Sequence, residues 1–295
     1  MAQAASGLRA FRVYLEMIKV EHSVFALPFA MIGMMWGSFA HSGSYWPGGW
    51  TLGWIVAAMV SARSAAMAFN RIADRHIDAL NPRTRMRALP AGLLQLRQAN
   101  LFLFASVALF FLSAGMLNSL ALALSPVALA VILGYSLTKR VTPLSHFVLG
   151  LSLGIAPAAA WVGVTGSLDW APVVLCGTVM FWTAGFDIIY SLQDESFDRE
   201  QGLRSLAESL GGRRALGVSR LCHLLTLGLL TLAGLLNESG PLFYVGVGAA
   251  ALLLAYEQSL VRHDDLSRVD MAFFTLNGYV SIGVFLFALA DALVA

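Results

Sequence analysis

The chain has 295 residues, of which 58% are hydrophobic and 12% charged, with a net charge of +2 and a mean hydropathy of +0.72. Soluble domains carry about 25% charged residues, so this composition excludes a soluble globule and describes an integral membrane protein. The small net charge, without a polybasic tail or low-complexity tract, argues against a nucleic-acid partner. Cys176 and Cys222 sit inside apolar runs, where they read as packing residues rather than a disulfide or metal site.

In chain order, residues 1–22 form a cytoplasmic N-terminal segment, of which FRVYLEMIKVEH can lie in the interface as an amphipathic helix. Nine apolar stretches near bilayer length follow, at 23–41, 50–70, 99–117, 119–137, 144–164, 171–191, 215–236, 241–260 and 270–294. The first is too long for a signal-peptide core, and its removal would break the charge pattern, so it is kept as a span. The loops after spans one, three, five and seven carry no Lys or Arg. The basic groups lie before span one and after spans two, four, six and eight, which predicts a cytoplasmic N-terminus and an external C-terminus. The expected location is the inner (plasma) membrane, and residues 1–295 are read as one all-α domain.

Two stretches concentrate acids at the cytoplasmic ends of spans. In FNRIADRHIDALNPRTRMRALPAG, after span two, Asn70, Asp74 and Asp78 recur every four residues and form one polar stripe on a continuing helix. Neighbouring carboxylates about 5–6 Å apart at Cβ repel, unless a cation sits between them. One candidate is Mg²⁺, which favours a few carboxylates plus waters and substrate phosphates; the plainer alternative is local pairing with Arg71, Arg75, Arg83, Arg85 and Arg87.

After span six, FDIIYSLQDESFDREQG repeats the arrangement: Asp187, Asp194 and Asp198 are expected on one helical face, with Tyr190 beside them. Ionisable residues at membrane spans usually line a cavity. Two facing D-x-x-x-D pairs could hold two metal ions around a diphosphate, and Lys139 and Arg140, on the same side, could complete a clamp on its oxygens.

At this point the chain resembles the membrane prenyltransferases of the UbiA superfamily, in particular the 4-hydroxybenzoate polyprenyltransferase-like branch. The resemblance covers essentially the whole chain. It rests on Asn70, Asp74, Asp78, Arg83, Thr84, Arg87, Leu89, Pro90 and Gly92 in the first motif, and on Asp187, Tyr190, Asp194 and Asp198 in the second. Between them lie Tyr135, Lys139, Arg140 and Thr142 of a Y-x-x-x-K-R-x-T stretch. ALP at 88–90 replaces the commoner R-P-L-P without removing an expected ligand.

The resemblance implies a helical bundle around a central cavity open sideways to lipid. It implies a polyprenyl diphosphate held through Mg²⁺ on Asp74, Asp78, Asp194 and Asp198, with Asn70, Tyr135 and Tyr190 also at the substrates. Lys139 and Arg140 would assist departure of the diphosphate, an aromatic carboxylic acid would attack the allylic cation, and Asp187 or a second-motif carboxylate would take the ring proton. Arg63, about two turns deeper than Asn70 on nearly the same face, would meet the acceptor carboxylate or the diphosphate. Lys19 aligns with a basic position of the family, and His146 stands where many relatives carry glutamine; both are candidate substrate contacts.

The expected activity is prenylation of 4-hydroxybenzoate for ubiquinone or menaquinone synthesis. A dihydroxynaphthoate acceptor or a haem O synthase-like reaction is the alternative within the superfamily. A transporter would be expected to place charge near the midplane, whereas these acids cluster at one face. The D-G-x-x-A-R stretch of CDP-alcohol phosphotransferases is absent.

Overall fold

Backbone polar groups inside a bilayer must pair within their own segment, which leaves helices as the economical solution for apolar runs of this length. The computed structural model describes residues 13, 14, 17 and 23–294. Its main elements are α1 (Ser23–Ser42), α2 (Gly49–Leu80), α3 (Leu96–Leu117), α4 (Ser119–Thr138), α5 (Ser145–Thr165) and α6 (Trp170–Ser191). After a 3₁₀ turn at Leu192–Asp194 come the short α7 (Glu195–Glu200) and α8 (Leu206–Leu210), then α9 (Gly212–Leu236) and α10 (Pro241–Leu260). A π-helical turn at Met271–Leu276 leads into α11 (Asn277–Val294).

Among the described residues no strand forms, and eight helical segments are long and apolar enough to cross a membrane. The 20-residue α1 packs with them, matching the nine predicted spans. The chain is a multi-pass membrane protein. Lys19, and most of the predicted interfacial segment with it, lies outside the described residues.

The helices form two groups joined at the centre. On one side α2 packs against α3 and α4; on the other α6, α9, α10 and α11 follow one another, and α11 returns to α1. The join is α5, which contacts α1, α4 and α6. Small residues permit that closeness, since in lipid helix association depends on packing rather than on a hydrophobic drive. A methyl group placed at Gly33 of α1 would collide with the carbonyl of Pro157, and one at Gly150 or Gly154 of α5 would collide with the carbonyl of Met180 or Cys176 of α6. Behind this join, Phe25, Phe29, Trp36, Trp182, Phe186 and Phe273 fill an aromatic core.

The two acidic stretches compare differently with the predicted elements. α2 runs on unbroken for 32 residues, so Asp74 and Asp78 are helical as expected. The second acidic stretch instead breaks at the 3₁₀ turn Leu192–Asp194, so Asp187, Asp194 and Asp198 do not share one continuous helical face. They converge because the turn and α7 fold over the same cavity.

Candidate active site

The last three turns of α2 carry the first polar stripe. Asn70 donates from Nδ2 to Asp74 Oδ2 at 2.9 Å, and accepts at Oδ1 from Arg71 Nη1 at 3.0 Å. Asp74 Oδ1 accepts from Arg140 Nη2 at 2.9 Å, and the same nitrogen reaches the Ala73 carbonyl at 2.8 Å. One turn on, Asp78 Oδ1 accepts from Arg87 Nη1 at 2.7 Å, and Arg71 Nη1 stands 4.0 Å from its other oxygen. That oxygen, Oδ2, is buried without a hydrogen bond.

The second stretch is held in the same way. Asp194 takes Arg83 in a two-nitrogen grip, with Nη2 on Oδ2 and Nε 3.2 Å from Oδ1. Asn81 Nδ2 adds a longer contact of 3.4 Å to Oδ1. Arg83 also donates from Nη1 to the Tyr190 hydroxyl at 3.0 Å. Burial opposes its charge, but Asp194 outweighs that and holds the guanidinium above the usual arginine range. Asp198 accepts from Lys139 Nζ at 3.0 and 3.3 Å.

Asp187 lies deeper and pairs with His146 instead, Nδ1 to Oδ2, at 2.6 Å. The backbone N–H of Leu206 points at His146 Nε2 from 3.4 Å. A backbone N–H can only donate, so Nε2 is the acceptor and Nδ1 carries the proton given to Asp187. This fixes the ring's orientation, with His146 itself 1% exposed.

These residues line a single cavity of about 620 Å³, together with Arg63 and Tyr135. Its charged end is built from the ends of α2, α4 and α6. From there it passes Phe110, Ile132 and Ala156 towards Leu117, Val162 and Leu168 at the opposite end of the bundle. Along α5, the distance from His146 to Val162 is about 24 Å at 1.5 Å per residue. A ligand with a highly charged head and a long apolar tail suits this shape.

Every candidate site residue among the described residues therefore lines one cavity, but the acids are not gathered into a metal cage. Among the described residues no three His, Cys, Asp or Glu side chains form a group able to hold an ion. The local arginine pairing allowed by the sequence is present only in part. Asp78 takes Arg87, whereas Asp74 takes Arg140 and Arg83 crosses to Asp194, 111 residues along the chain.

Arg83 and Arg87 stood in the motif without a place in the site, and Asn81 was missed altogether. Asn81 is 8% exposed and its Oδ1 accepts from the Arg83 backbone N–H at 2.9 Å, which turns the chain so that Arg83 faces the cavity. The available signal was an Asn-Pro step directly after an acidic helix end, a favoured turn initiator.

Residues 26–279 match the UbiA prenyltransferase family. A 4-hydroxybenzoate octaprenyltransferase from Methylobacillus flagellatus is 32% identical over 258 residues, covering 87% of this chain and 86% of that protein. The enzyme of the same description from Vibrio campbellii is 34% identical over 221 residues, covering 75% and 77%. Among solved structures, the apo form of a UbiA homologue from Aeropyrum pernix superposes with a TM-score of 0.83 at 35% identity, covering 92% of this chain and 98% of that one. A UbiA homologue from Archaeoglobus fulgidus bound to DMAPP and Mg²⁺ shares the fold, with a TM-score of 0.72 at 18% identity over 96% and 99% of the two chains. With the family match spanning most of its length and relatives above 30% identity aligned over three quarters or more of both chains, this chain belongs to the UbiA prenyltransferase family.

Proposed function

We propose that this protein transfers a polyprenyl group from a polyprenyl diphosphate to a ring carbon of 4-hydroxybenzoate, with Mg²⁺ as cofactor and with the charged end of the cavity facing the cytoplasm. The observation that supports this reading is the convergence of five aspartates with Lys139 and several arginines at one end of an otherwise apolar cavity. The acceptor follows the 4-hydroxybenzoate octaprenyltransferases described above, and the orientation follows the distribution of Lys and Arg between the loops.

The donor set fits Mg²⁺. The carboxylates are hard oxygen ligands, and Asp78 Oδ2 is buried without a hydrogen-bond partner. Because the acids are not clustered into a protein-only site, phosphate oxygens and water would supply the remaining ligands, as Mg²⁺ prefers. Asp74, Asp78, Asp194 and Asp198 would hold it. When bound, it would offset the charge that grows on the leaving diphosphate.

The chain's own residues supply the rest. Arg83, Lys139 and Arg140 present N–H donors at the charged end, where they can follow the diphosphate as the bond between C1 and oxygen breaks. Their present carboxylate partners, Asp194, Asp198 and Asp74, hold them there. Arg63, deeper on α2, meets the acceptor carboxylate. The acceptor ring forms the new carbon–carbon bond and then loses its proton to Asp187, whose carboxylate is oriented by the Nδ1–H of His146. Apolar walls at Phe110, Ile132 and Leu117 take the tail and exclude water from the allylic cation.

The test is a membrane assay with Mg²⁺, a polyprenyl diphosphate and parallel 4-hydroxybenzoate and dihydroxynaphthoate acceptors, read by mass spectrometry. Prenylated 4-hydroxybenzoate is expected as the main product. Naphthoate product alone would replace the acceptor, and product formed in excess chelator would remove the metal.

A further inference from the structure

A cluster of buried polar groups lies outside the ion pairs, where α6, α10 and α11 meet. Glu257 of α10 and Asn277 at the start of α11 are both fully buried, as is Trp182 of α6. Trp182 donates from Nε1 to Asn277 Oδ1 at 2.7 Å. An indole N–H can only donate, so this bond fixes which end of the amide is oxygen. Nδ2 then points the other way, to Glu257 Oε1 at 3.1 Å and to the carbonyls of Ala272 at 3.0 Å and Phe273 at 3.2 Å.

Those two carbonyls belong to the π-helical turn Met271–Leu276. A π turn is rare overall and frequent at functional sites, and a side chain that enters the backbone ladder is one identifiable cause of departure from regular helix geometry. Here the intruding group is the Asn277 amide, five and four residues ahead of the carbonyls it occupies. The segment MAFFTL contains neither Gly nor Pro that would widen the turn on its own account.

What the turn presents is Phe273. Its ring lines the substrate cavity, lies 4.2 Å from the Tyr190 ring centre, and meets Phe186 edge-on at 5.2 Å. Tyr190 in turn accepts from Arg83, which grips Asp194. A continuous set of contacts thus leads from a buried amide to the residues assigned above to the diphosphate.

We infer that Asn277 is a positioning residue for prenyl transfer: by holding the Met271–Leu276 turn wide, it sets Phe273 against Tyr190 and so places Tyr190 and Arg83 at the charged end of the cavity. This rests on the prenyltransferase reading of that cavity. Asn277 touches no substrate itself and acts through Phe273. Its removal should therefore impair use of the prenyl diphosphate and leave the acceptor's KM nearly unchanged.

The test is a double-mutant cycle in the full-length protein in membranes, with kcat and KM measured separately for the prenyl diphosphate and for 4-hydroxybenzoate. Asn277→Leu and Phe273→Leu should each lower kcat/KM for the diphosphate substrate at least tenfold, with acceptor KM within about twofold of wild type. Because both act through one ring position, the double variant should be little worse than either alone. Should Asn277→Leu fail to accumulate, Asn277→Asp takes its place, since it keeps the acceptor for Trp182 but loses both N–H donors. Losses that multiply in the double variant, or a defect confined to acceptor KM, would overturn the inference. A wild-type protein that forms no prenylated product would instead overturn the activity on which it rests.

Discussion

Replacing Asp194 with Asn separates a substrate-binding carboxylate from a purely structural one. The change keeps size and one oxygen, but removes a unit charge at a side chain that is 11% exposed and gripped by Arg83 through two nitrogens. Breaking exposed ion pairs costs about 0.2–1 kcal/mol and breaking fully buried ones about 3–5 kcal/mol. Arg83 is 35% exposed and can turn to water, so a stability loss of about 1–2 kcal/mol is expected, between those limits. If Asp194 also serves the metal diphosphate, kcat/KM should fall well over tenfold, which is about 1.4 kcal/mol or more of transition-state stabilisation.

The assay is prenyl transfer in membranes at saturating Mg²⁺, run beside a thermal aggregation measurement, for Asp194→Asn, Arg83→Gln and the double variant. If each residue has its own duty toward the diphosphate, the double variant is at least as slow as the slower single. If Asp194 exists only to neutralise Arg83, removing both charges restores stability and turnover together. Restored turnover in the double variant would refute the site.

Chelation should abolish turnover without unfolding the bundle, and added Mg²⁺ should restore it; full activity in excess chelator would exclude a metal at the aspartates. Gly150→Ala should destabilise by about 1–3 kcal/mol as an overpacked contact, since the new methyl group meets the Met180 carbonyl between α5 and α6; unaltered thermal stability would show that this interface yields freely. His146→Ala should cost about 1–3 kcal/mol by leaving the Leu206 N–H unsatisfied and should also slow turnover by releasing Asp187; a stability loss with normal turnover would leave His146 structural only. In a variant lacking Cys176 and Cys222, cysteines at Ser44 and Ser167 should label from outside the cell and one at Gln201 should not, and the reverse pattern would invert the orientation.

The helical class and the span positions were legible because a bilayer imposes length and apolarity on each segment separately, so no long-range information is needed to find α3 or α10. The stripe Asn70–Asp74–Asp78 was legible for a similar reason: a four-residue period is a local property of one helix, and α2 does continue through it. The second stretch has the same spacing but breaks at Leu192–Asp194. Nothing local in SLQDES forces a 3₁₀ turn there, and a spacing rule cannot register that Arg83 and Asn81 reach Asp194 from another loop. The polar junction of Trp182, Glu257 and Asn277 escaped for the same reason, because three polar groups about 20 to 95 positions apart become a unit only after three helices pack.

The charge crowded after α2 follows the same division between local and distant causes. Locally, Asp74 and Asp78 are unfavourable neighbours, one turn apart on a membrane helix. The structure resolves the conflict by giving each its own cation: Arg140 from the end of α4 for Asp74, and Arg87 from the turn after α2 for Asp78. Arg83 and Lys139 do the same for Asp194 and Asp198. Three of these four pairs join different elements, so the charges also pull the loops after α2, α4 and α6 over a single cavity mouth. A solvated helix end would need no such cross-links, since its acids could pair with water or with the nearest arginine. The partners actually chosen close the α2, α4 and α6 ends around one space, and the five aspartates, four of them paired with cations, line that one cavity.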